Sequence, residues 1–194
     1  MGLTLMEVLV AMLVVALGLL GIASLQANTL RHQLGTAERA ALTTLLSDYI
    51  ERVRANVTQA PGEVANSPYL LADAAGTLPA NAAYTWSNLS AASVSGASKN
   101  CSTASCTAPE LAAYDMAVWR QAVRSTLPRG VAVVSGKSVS GIEVTFAWSD
   151  KDFRTASAAC AAGMTGLDRQ SCCPTSLGAA GVTGVRCANF TVMP

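Results

Sequence analysis

The longest apolar stretch of the chain lies at its N-terminus. Between Leu3 and Leu30 the one ionisable side chain is Glu7, and residues 8–25 form an 18-residue run without charge. Such a run is long enough to cross the hydrocarbon core of a bilayer and too long for the apolar region of a secretory signal. Leu25 also stands where a signal-peptidase site needs a small residue. The pattern therefore predicts a retained membrane helix.

Apolar positions continue beyond this run with the spacing of an α-helix. They recur every three or four residues at Leu30, Leu34, Ala37, Ala41, Leu45, Tyr49 and Val53. No proline precedes Pro61. We therefore predict one helix from about Thr4 to about Val57, roughly 80 Å long at 1.5 Å per residue and ended by Pro61-Gly62. Its second half is expected to pack against the rest of the chain.

The segment from Asn56 to Lys99 is rich in Ala, Ser, Asn, Pro and Gly and has little periodicity. This composition predicts a long irregular connector with a short strand near Tyr84-Thr85-Trp86. After Pro109, apolar residues keep helical spacing as far as Leu127, and the run 128–130, Pro-Arg-Gly, predicts the end of that helix.

The last third of the chain has the pattern of short strands. A brief apolar run at 131–134 is followed by a predicted hairpin turn from Ser135 to Gly141. Residues 142–148 alternate apolar and polar, which predicts a half-buried antiparallel strand. Asp150-Lys151-Asp152 predicts a turn, and 185–192 a final strand. The predicted fold class is α+β, with a long N-terminal helix and a small antiparallel sheet.

The composition of the chain excludes several classes of function, although it adds little about the fold. The formal net charge is +1, and the basic residues are scattered, which argues against a nucleic-acid partner. The sole histidine is His32, and neither a phosphate-binding glycine loop nor paired carboxylates stand out. We therefore expect no enzyme activity, no cofactor and no metal. Trp119 and Trp148 are expected in the core rather than in a ligand site.

All six cysteines follow the apolar N-terminal run; they are Cys101, Cys106, Cys160, Cys172, Cys173 and Cys187. An even number in this position predicts disulfides in an oxidising compartment. A zinc site is disfavoured because the chain has no CxxC pair and a single distant histidine. Cys101 and Cys106 are expected to pair because they are close in sequence.

The pairing of the other four cysteines stays open between two arrangements. Adjacent cysteines pair with each other only in a strained ring. The alternatives are Cys160–Cys172 with Cys173–Cys187, or Cys160–Cys173 with Cys172–Cys187. Either would pin a C-terminal loop of low apolar content, which is the best candidate for a surface that meets a partner.

The basic residues and the cysteines predict opposite orientations of the chain in the membrane. Arg31, Arg39, Arg52 and Arg54 follow the apolar run, which by the positive-inside tendency would leave the C-terminal part in the cytoplasm. Disulfides require the opposite orientation. We give the cysteines more weight and expect a single-pass inner-membrane protein with its head in the periplasm.

The run Gly2-Leu3-Thr4-Leu5-Met6-Glu7-Val8-Leu9-Val10-Ala11 resembles the class III signal of type IV prepilins and pseudopilins. The resemblance implies that a prepilin peptidase cuts after Gly2, that Leu3 becomes an N-methylated first residue, and that Glu7 guides assembly. Leu3 departs from the usual Phe or Met. Met1-Gly2 lacks the basic residues of such leaders, so we expect the precursor to start further upstream.

Three segments of the head are similar to the PilV family of minor type IV pilins. They are residues 113–119, which follow a cysteine, residues 127–130, and residues 142–148, with Met116 where the pattern usually has Leu. The resemblance implies a type IV pilin-like fold and a subunit that primes pilus assembly and sits at the pilus tip. It also implies as partners other minor pilins and the major pilin, through the N-terminal helix, and a tip adhesin.

The resemblance divides the chain into four parts. These are a leader remnant (1–2), the transmembrane half of the helix (3–30), its extracytoplasmic half (31–57) and a disulfide-bonded head (58–194). After assembly the subunit would lie in the pilus on the cell surface. Two alternatives remain: a minor pseudopilin of a type II secretion system, and a signal-anchored periplasmic binding domain.

Overall fold

The computed structural model describes residues 5–64, 66–71, 86 and 99–194, apart from the side chains of residues 31, 32 and 34. In chain order the helices and strands are α1 (Leu5–Ala55), a 3-10 turn (Val57–Gln59), α2 (Ala108–Thr126), β1 (Val131–Lys137), β2 (Gly141–Ser149), α3 (Gly166–Ser171), a second 3-10 turn (Thr175–Leu177) and β3 (Val185–Val192). The chain divides into two units, Met1–Arg39 and Ala40–Pro194. An α+β arrangement with a long apolar N-terminal helix is thus observed.

Helix α1 ends earlier than the sequence predicts. It stops at Ala55, because Asn56 leaves the helical conformation and begins a tighter turn. The Asn56 main-chain N–H bonds to the Val53 carbonyl at 3.2 Å, and its side-chain amide donates to the Ala108 carbonyl at 2.8 Å. The predicted end at about Val57 thus agrees to within two residues, but Asn56, which bonds to the start of α2, ends the helix before Pro61-Gly62 is reached.

Helix α2 agrees with its prediction to within a few residues. Its start is fixed by a capping box. The Glu110 carboxylate accepts a hydrogen bond from the Thr107 main-chain N–H, and the Thr107 side chain accepts one from the Glu110 main-chain N–H. At its end the Leu127 N–H still reaches the Val123 carbonyl at 2.9 Å. A Cβ on Gly130 would lie 2.6 Å from the Leu127 Cβ, so the chain can make this turn only with glycine there.

The described strands form an antiparallel sheet in the order β1-β2-β3. The predicted last strand is confirmed, but the predicted hairpin turn was wrong in extent, because β1 continues to Lys137. Gly136 was read as a turn residue. It is a strand residue at φ 102°, and a Cβ there would lie 2.4 Å from the Gly141 carbonyl oxygen. Its glycine permits a close approach of two strands.

One face of the sheet packs against helices. The second half of α1 and helix α2 bury Leu45, Tyr49 and Trp119 against Val144 and Phe146 of β2. The Trp119 ring centroid lies 5.2 Å from that of Tyr49 and 5.9 Å from that of Phe146. The expectation that Trp119 and Trp148 belong to the core is confirmed, since both are buried.

The other face of the sheet is also covered, which overturns the prediction of a half-buried β2. Thr145 and Ala147 point away from the helices and yet are buried. Leu177 and Ala179 of the C-terminal segment, together with Trp86, cover this face in a second apolar cluster. The segment between the last cysteines thus contains enough apolar side chains to form one layer of the fold.

Of the strand predicted near Tyr84, only Trp86 lies within the described residues; Tyr84 and Thr85 lie outside them. Trp86 is buried in the second cluster and is helical, so the strand prediction is wrong at this residue. The Arg129 guanidinium lies 5.6 Å from the Trp86 ring centroid. Trp86 therefore holds one point of the connector against the sheet.

Candidate functional site

The N-terminal segment carries the residues for which the sequence predicts processing and assembly. Gly2 and Leu3 lie outside the described residues, and Glu7 lies in the first turn of α1. Every described residue from Leu5 to Leu30 is exposed, including large apolar side chains such as Leu5 and Leu20. By length and composition α1 could cross a membrane.

The chemistry of Glu7 follows from this setting. A carboxylate at the start of a helix faces the positive end of the helix dipole. Inside a hydrocarbon layer the same carboxylate costs a few kcal/mol or more unless a cation or hydrogen-bond donor accompanies it. Within a membrane, Glu7 would therefore need a cation or a hydrogen-bond donor beside it.

The second half of α1 is built into the head. Its buried residues Leu42, Leu45, Tyr49 and Val53 continue the predicted apolar stripe, whereas Leu30, earlier in that stripe, is 61% exposed. The helix thus changes from an exposed apolar surface to a packed one along its own length.

A polar network ties α1 to α2 beside this packed surface. Arg52 forms ion pairs with Asp48 (3.0 Å) and with Asp115 of α2 (3.1 Å). The Tyr69 hydroxyl donates to Asp115 Oδ2 at 2.8 Å. Burial raises the pKa of Tyr69 above its ordinary value, and the hydrogen bond to the Asp115 carboxylate raises it further. The network is structural: it joins two helices and the connector after α1.

The six cysteines form three disulfides: Cys101–Cys106, Cys160–Cys172 and Cys173–Cys187. Of the two arrangements that the sequence left open, the structure has Cys160–Cys172 with Cys173–Cys187. Cys172, Cys173 and Cys187 are buried. The Cys173–Cys187 bridge therefore attaches the C-terminal segment to β3, and the Cys160–Cys172 bridge closes a loop within that segment.

The first disulfide closes a small loop at the start of α2. Cys101 and Cys106 flank four exposed residues, and Lys99 beside them pairs with Glu110 at 3.0 Å. Three hydrogen bonds lower the pKa of Glu110 to about 2. The largest effect comes from the Thr107 N–H, and smaller ones come from Lys99 and the Thr107 hydroxyl. This carboxylate stays ionised at any physiological pH and holds the start of α2.

The side chain of Asn189 in β3 forms hydrogen bonds with both the C-terminal loop and strand β2. Its amide nitrogen donates to the carbonyls of Arg169 (2.9 Å) and Cys172 (2.8 Å), and its oxygen accepts from the Thr145 hydroxyl at 2.6 Å. The residue is buried. Because one side chain bonds to both the loop and the sheet, it fixes where the Cys160–Cys172 loop sits.

The outward side of that loop is the surface that the sequence singled out for a partner. Residues 165–171 are exposed, and Leu167 keeps 81% of its surface in solvent. Arg169 forms an ion pair with Glu143 of β2. Among the described residues no group of His, Cys, Asp or Glu is arranged to hold a metal ion.

The structure also contains polar contacts that the sequence reasoning missed. Asp115 and Asn189 were not singled out, although each stands where the surrounding pattern is apolar: Asp115 is one residue from the buried Met116, and Asn189 alternates with Cys187 on one face of a strand. A polar residue inside an apolar pattern signals a partner, but only the fold identifies which one.

Comparison of the chain with models of known protein families, with curated proteins and with solved structures gives no match.

Proposed function

We propose that the chain is a minor type IV pilin, a structural subunit that helps to prime pilus assembly and sits at the pilus tip with other minor pilins and a tip adhesin. The observation that carries the proposal is the run from Gly2 to Ala11, with Glu7 as its one charge, at the start of a helix long enough to cross a membrane. The disulfides of the head support an extracytoplasmic location.

In this proposal a prepilin peptidase of the inner membrane cuts between Gly2 and Leu3, and the new terminus is N-methylated. The Leu3 amine then lies one helical turn before Glu7. Within the membrane, each of these charges lowers the desolvation cost of the other, either in one chain or between neighbouring subunits. The exposed apolar half of α1 would pack against the major pilin and other minor pilins. The head would remain outside.

The role of Glu7 can be tested by substitution. Glu7→Ala removes the charge that would receive the N-terminal amine of a neighbour, so the chain should reach the membrane with all three disulfides formed but be lost from sheared pili. Glu7→Asp, which keeps the charge with a shorter reach, should be milder. Glu51→Ala removes an exposed carboxylate further along α1 and serves as the matched control.

Two outcomes would count against the proposal. Recovery of Glu7→Ala in sheared pili at the level of the unaltered chain would remove Glu7 from assembly. If the unaltered chain were missing from pili, and its loss blocked protein secretion, the minor pseudopilin of a type II system would be favoured instead. Both outcomes can be observed while the head remains correctly folded.

A further inference from the structure

The Cys101–Cys106 disulfide lies in surroundings unlike those of the other two bridges. Both of its cysteines are half-buried, the four residues between them are exposed, and in the described chain neither apolar cluster includes them. By contrast, Cys173 and Cys187 are buried inside the second apolar cluster. A dissolved thiol must reach a sulfur atom to open a disulfide. The Cys173–Cys187 bridge is therefore shielded in the folded head, and the Cys101–Cys106 bridge is not.

The Cys160–Cys172 bridge can be reached only at Cys160, which is half-buried, because Cys172 is buried. Attack there would leave a thiolate on Cys172, and burial disfavours that charge. The Asn189 amide nitrogen lies 3.6 Å from the Cys172 sulfur, but its two hydrogens already bond to the carbonyls of Arg169 and Cys172. This amide therefore gives a Cys172 thiolate little stabilisation, which makes that sulfur a poor leaving group.

At the exposed bridge the better leaving group is Cys106. It directly precedes Thr107, which caps the 19-residue helix α2, and the positive end of a helix favours a thiolate. The carboxylate of the first helical turn, Glu110, is already paired with Lys99 and hydrogen-bonded to Thr107. The Cys101 sulfur lies 3.7 Å from the Glu110 main-chain carbonyl oxygen, to which a reduced Cys101 thiol can donate. The surroundings therefore accommodate both cysteines after reduction.

Helix α2 keeps its position without this bridge. Its capping box begins at Thr107, after Cys106, and does not involve the sulfurs. The Asn56 amide donates to the Ala108 carbonyl at 2.8 Å, and further along α2 the Trp119 ring is buried against α1 and the sheet. Opening the bridge therefore frees the segment before Thr107 and leaves the core intact.

We propose that the Cys101–Cys106 bridge is a redox-sensitive device: a dithiol opens it in the folded head and frees residues 100–106, while the other two bridges stay closed. One thiolate of the dithiol attacks the Cys101 sulfur, the bond to Cys106 breaks, and Cys106 leaves as a thiolate that is then protonated. The second sulfur of the dithiol attacks the first and releases Cys101, which is protonated in turn. The dithiol ends as a disulfide, and its two thiol protons and two electrons end on the protein. The surface at the start of α2 thereby has an oxidised and a reduced state, whether or not the chain is a pilin.

The proposal is tested with the full chain in detergent micelles, which is exposed to increasing dithiothreitol and then alkylated, digested and analysed by mass spectrometry. Cys101 and Cys106 should be labelled at dithiothreitol concentrations at least about tenfold lower than the other cysteines, since the buried bridges open only when the head opens. Under the same mild reduction, amide exchange should become faster in residues 100–106 and stay unchanged in residues 112–126 of α2.

The double variant Cys101→Ser/Cys106→Ser is the matched control. Without reductant it should already show the fast exchange in residues 100–106, and mild dithiothreitol should expose none of its remaining cysteines to labelling. Three results would overturn the proposal: labelling of all six cysteines over one range of dithiothreitol, labelling of Cys160 and Cys172 before the other cysteines, or loss of protection in α2 together with the bridge. The first would mean that no bridge opens separately from the whole head.

Discussion

The indole N–H of Trp119 in α2 donates a hydrogen bond to the main-chain carbonyl of Leu45 in α1, 2.8 Å away and fully buried. Leu45 lies in the second half of α1, and the Trp119 ring packs against Tyr49 of that helix and Phe146 of β2. One side chain thus supplies both apolar packing and a specific hydrogen bond between the two helices. This contact joins the long helix to the head.

We expect Trp119→Ala to destabilise the head by roughly 3–5 kcal/mol, the cost of emptying a large aromatic site in a core. Trp119→Phe keeps a ring but loses the hydrogen bond and some volume, and should cost about 1–2 kcal/mol. Val118→Ala, at a partly exposed position of the same helix, is the control and should change the free energy of unfolding by less than about 1 kcal/mol. Denaturant unfolding measures all three.

Asn189→Ala should loosen the C-terminal loop, because it leaves the Thr145 hydroxyl and the carbonyls of Arg169 and Cys172 without their bonds to the amide. Unpaired buried polar groups of this kind cost about 1–3 kcal/mol. Gln170→Ala, in the exposed α3, is the control. Faster amide exchange in residues 161–171 of the Asn189 variant alone is the expected result; equal exchange in both variants would refute this role of Asn189.

Removal of different disulfides should lower the free energy of unfolding by different amounts. On the loop-entropy account, losing Cys160–Cys172 should cost about 3 kcal/mol and losing Cys101–Cys106 about 2 kcal/mol, since the first closes the longer loop. Paired Cys→Ser variants compared by denaturant unfolding test the order. Helix α2 and strand β2 should persist when the Cys160–Cys172 bridge is absent, because their helical-face contacts do not include it.

A thiol count checks the same bridges without substitution. Unfolded, unreduced protein exported to the periplasm should show no reactive thiol, because all six cysteines are paired. Two or more reactive thiols per chain would contradict the pairing. A stoichiometric zinc signal that is lost with chelator would point to metal ligation instead.

Alkaline pH should unfold the head. Burial raises the pKa of both Tyr49 and Tyr69, so their neutral forms are favoured in the folded protein. Their contribution to stability is complete below the pKa of an unfolded tyrosine, about 10, and is lost as the pH rises above it. Tyrosinate absorbance should therefore rise for these residues together with unfolding. Tyr69→Phe should reduce the loss of stability at high pH.

The sequence predicted the elements whose periodicity is local. The helical spacing in α1 and α2 and the last strand follow from residues a few positions apart, and the boundaries agree except where a particular contact intervenes, as Asn56 does with Ala108. Gly136 was misread because a glycine signals a turn as readily as a close strand contact. The interpretation of β2 as half-buried failed for a different reason.

Burial of Thr145 and Ala147 depends on a layer that lies some thirty residues further along the chain and is attached by disulfides. No pattern within β2 encodes that cover. The same limit applies to Asn189, whose partners Arg169 and Cys172 become neighbours only through the Cys160–Cys172 loop. Such long-range pairings depend on the tertiary fold, whereas the residues around Glu7 form a contiguous motif that can be read directly.

The most direct test of the proposed pilin function is mass spectrometry of the N-terminal peptide of this chain recovered from sheared pili of cells with an active prepilin peptidase. The account predicts a peptide that begins at Leu3, carries one methyl group on its α-amine and contains Glu7. A peptide that retains Gly2, or the absence of the chain from pili that otherwise assemble, would contradict it.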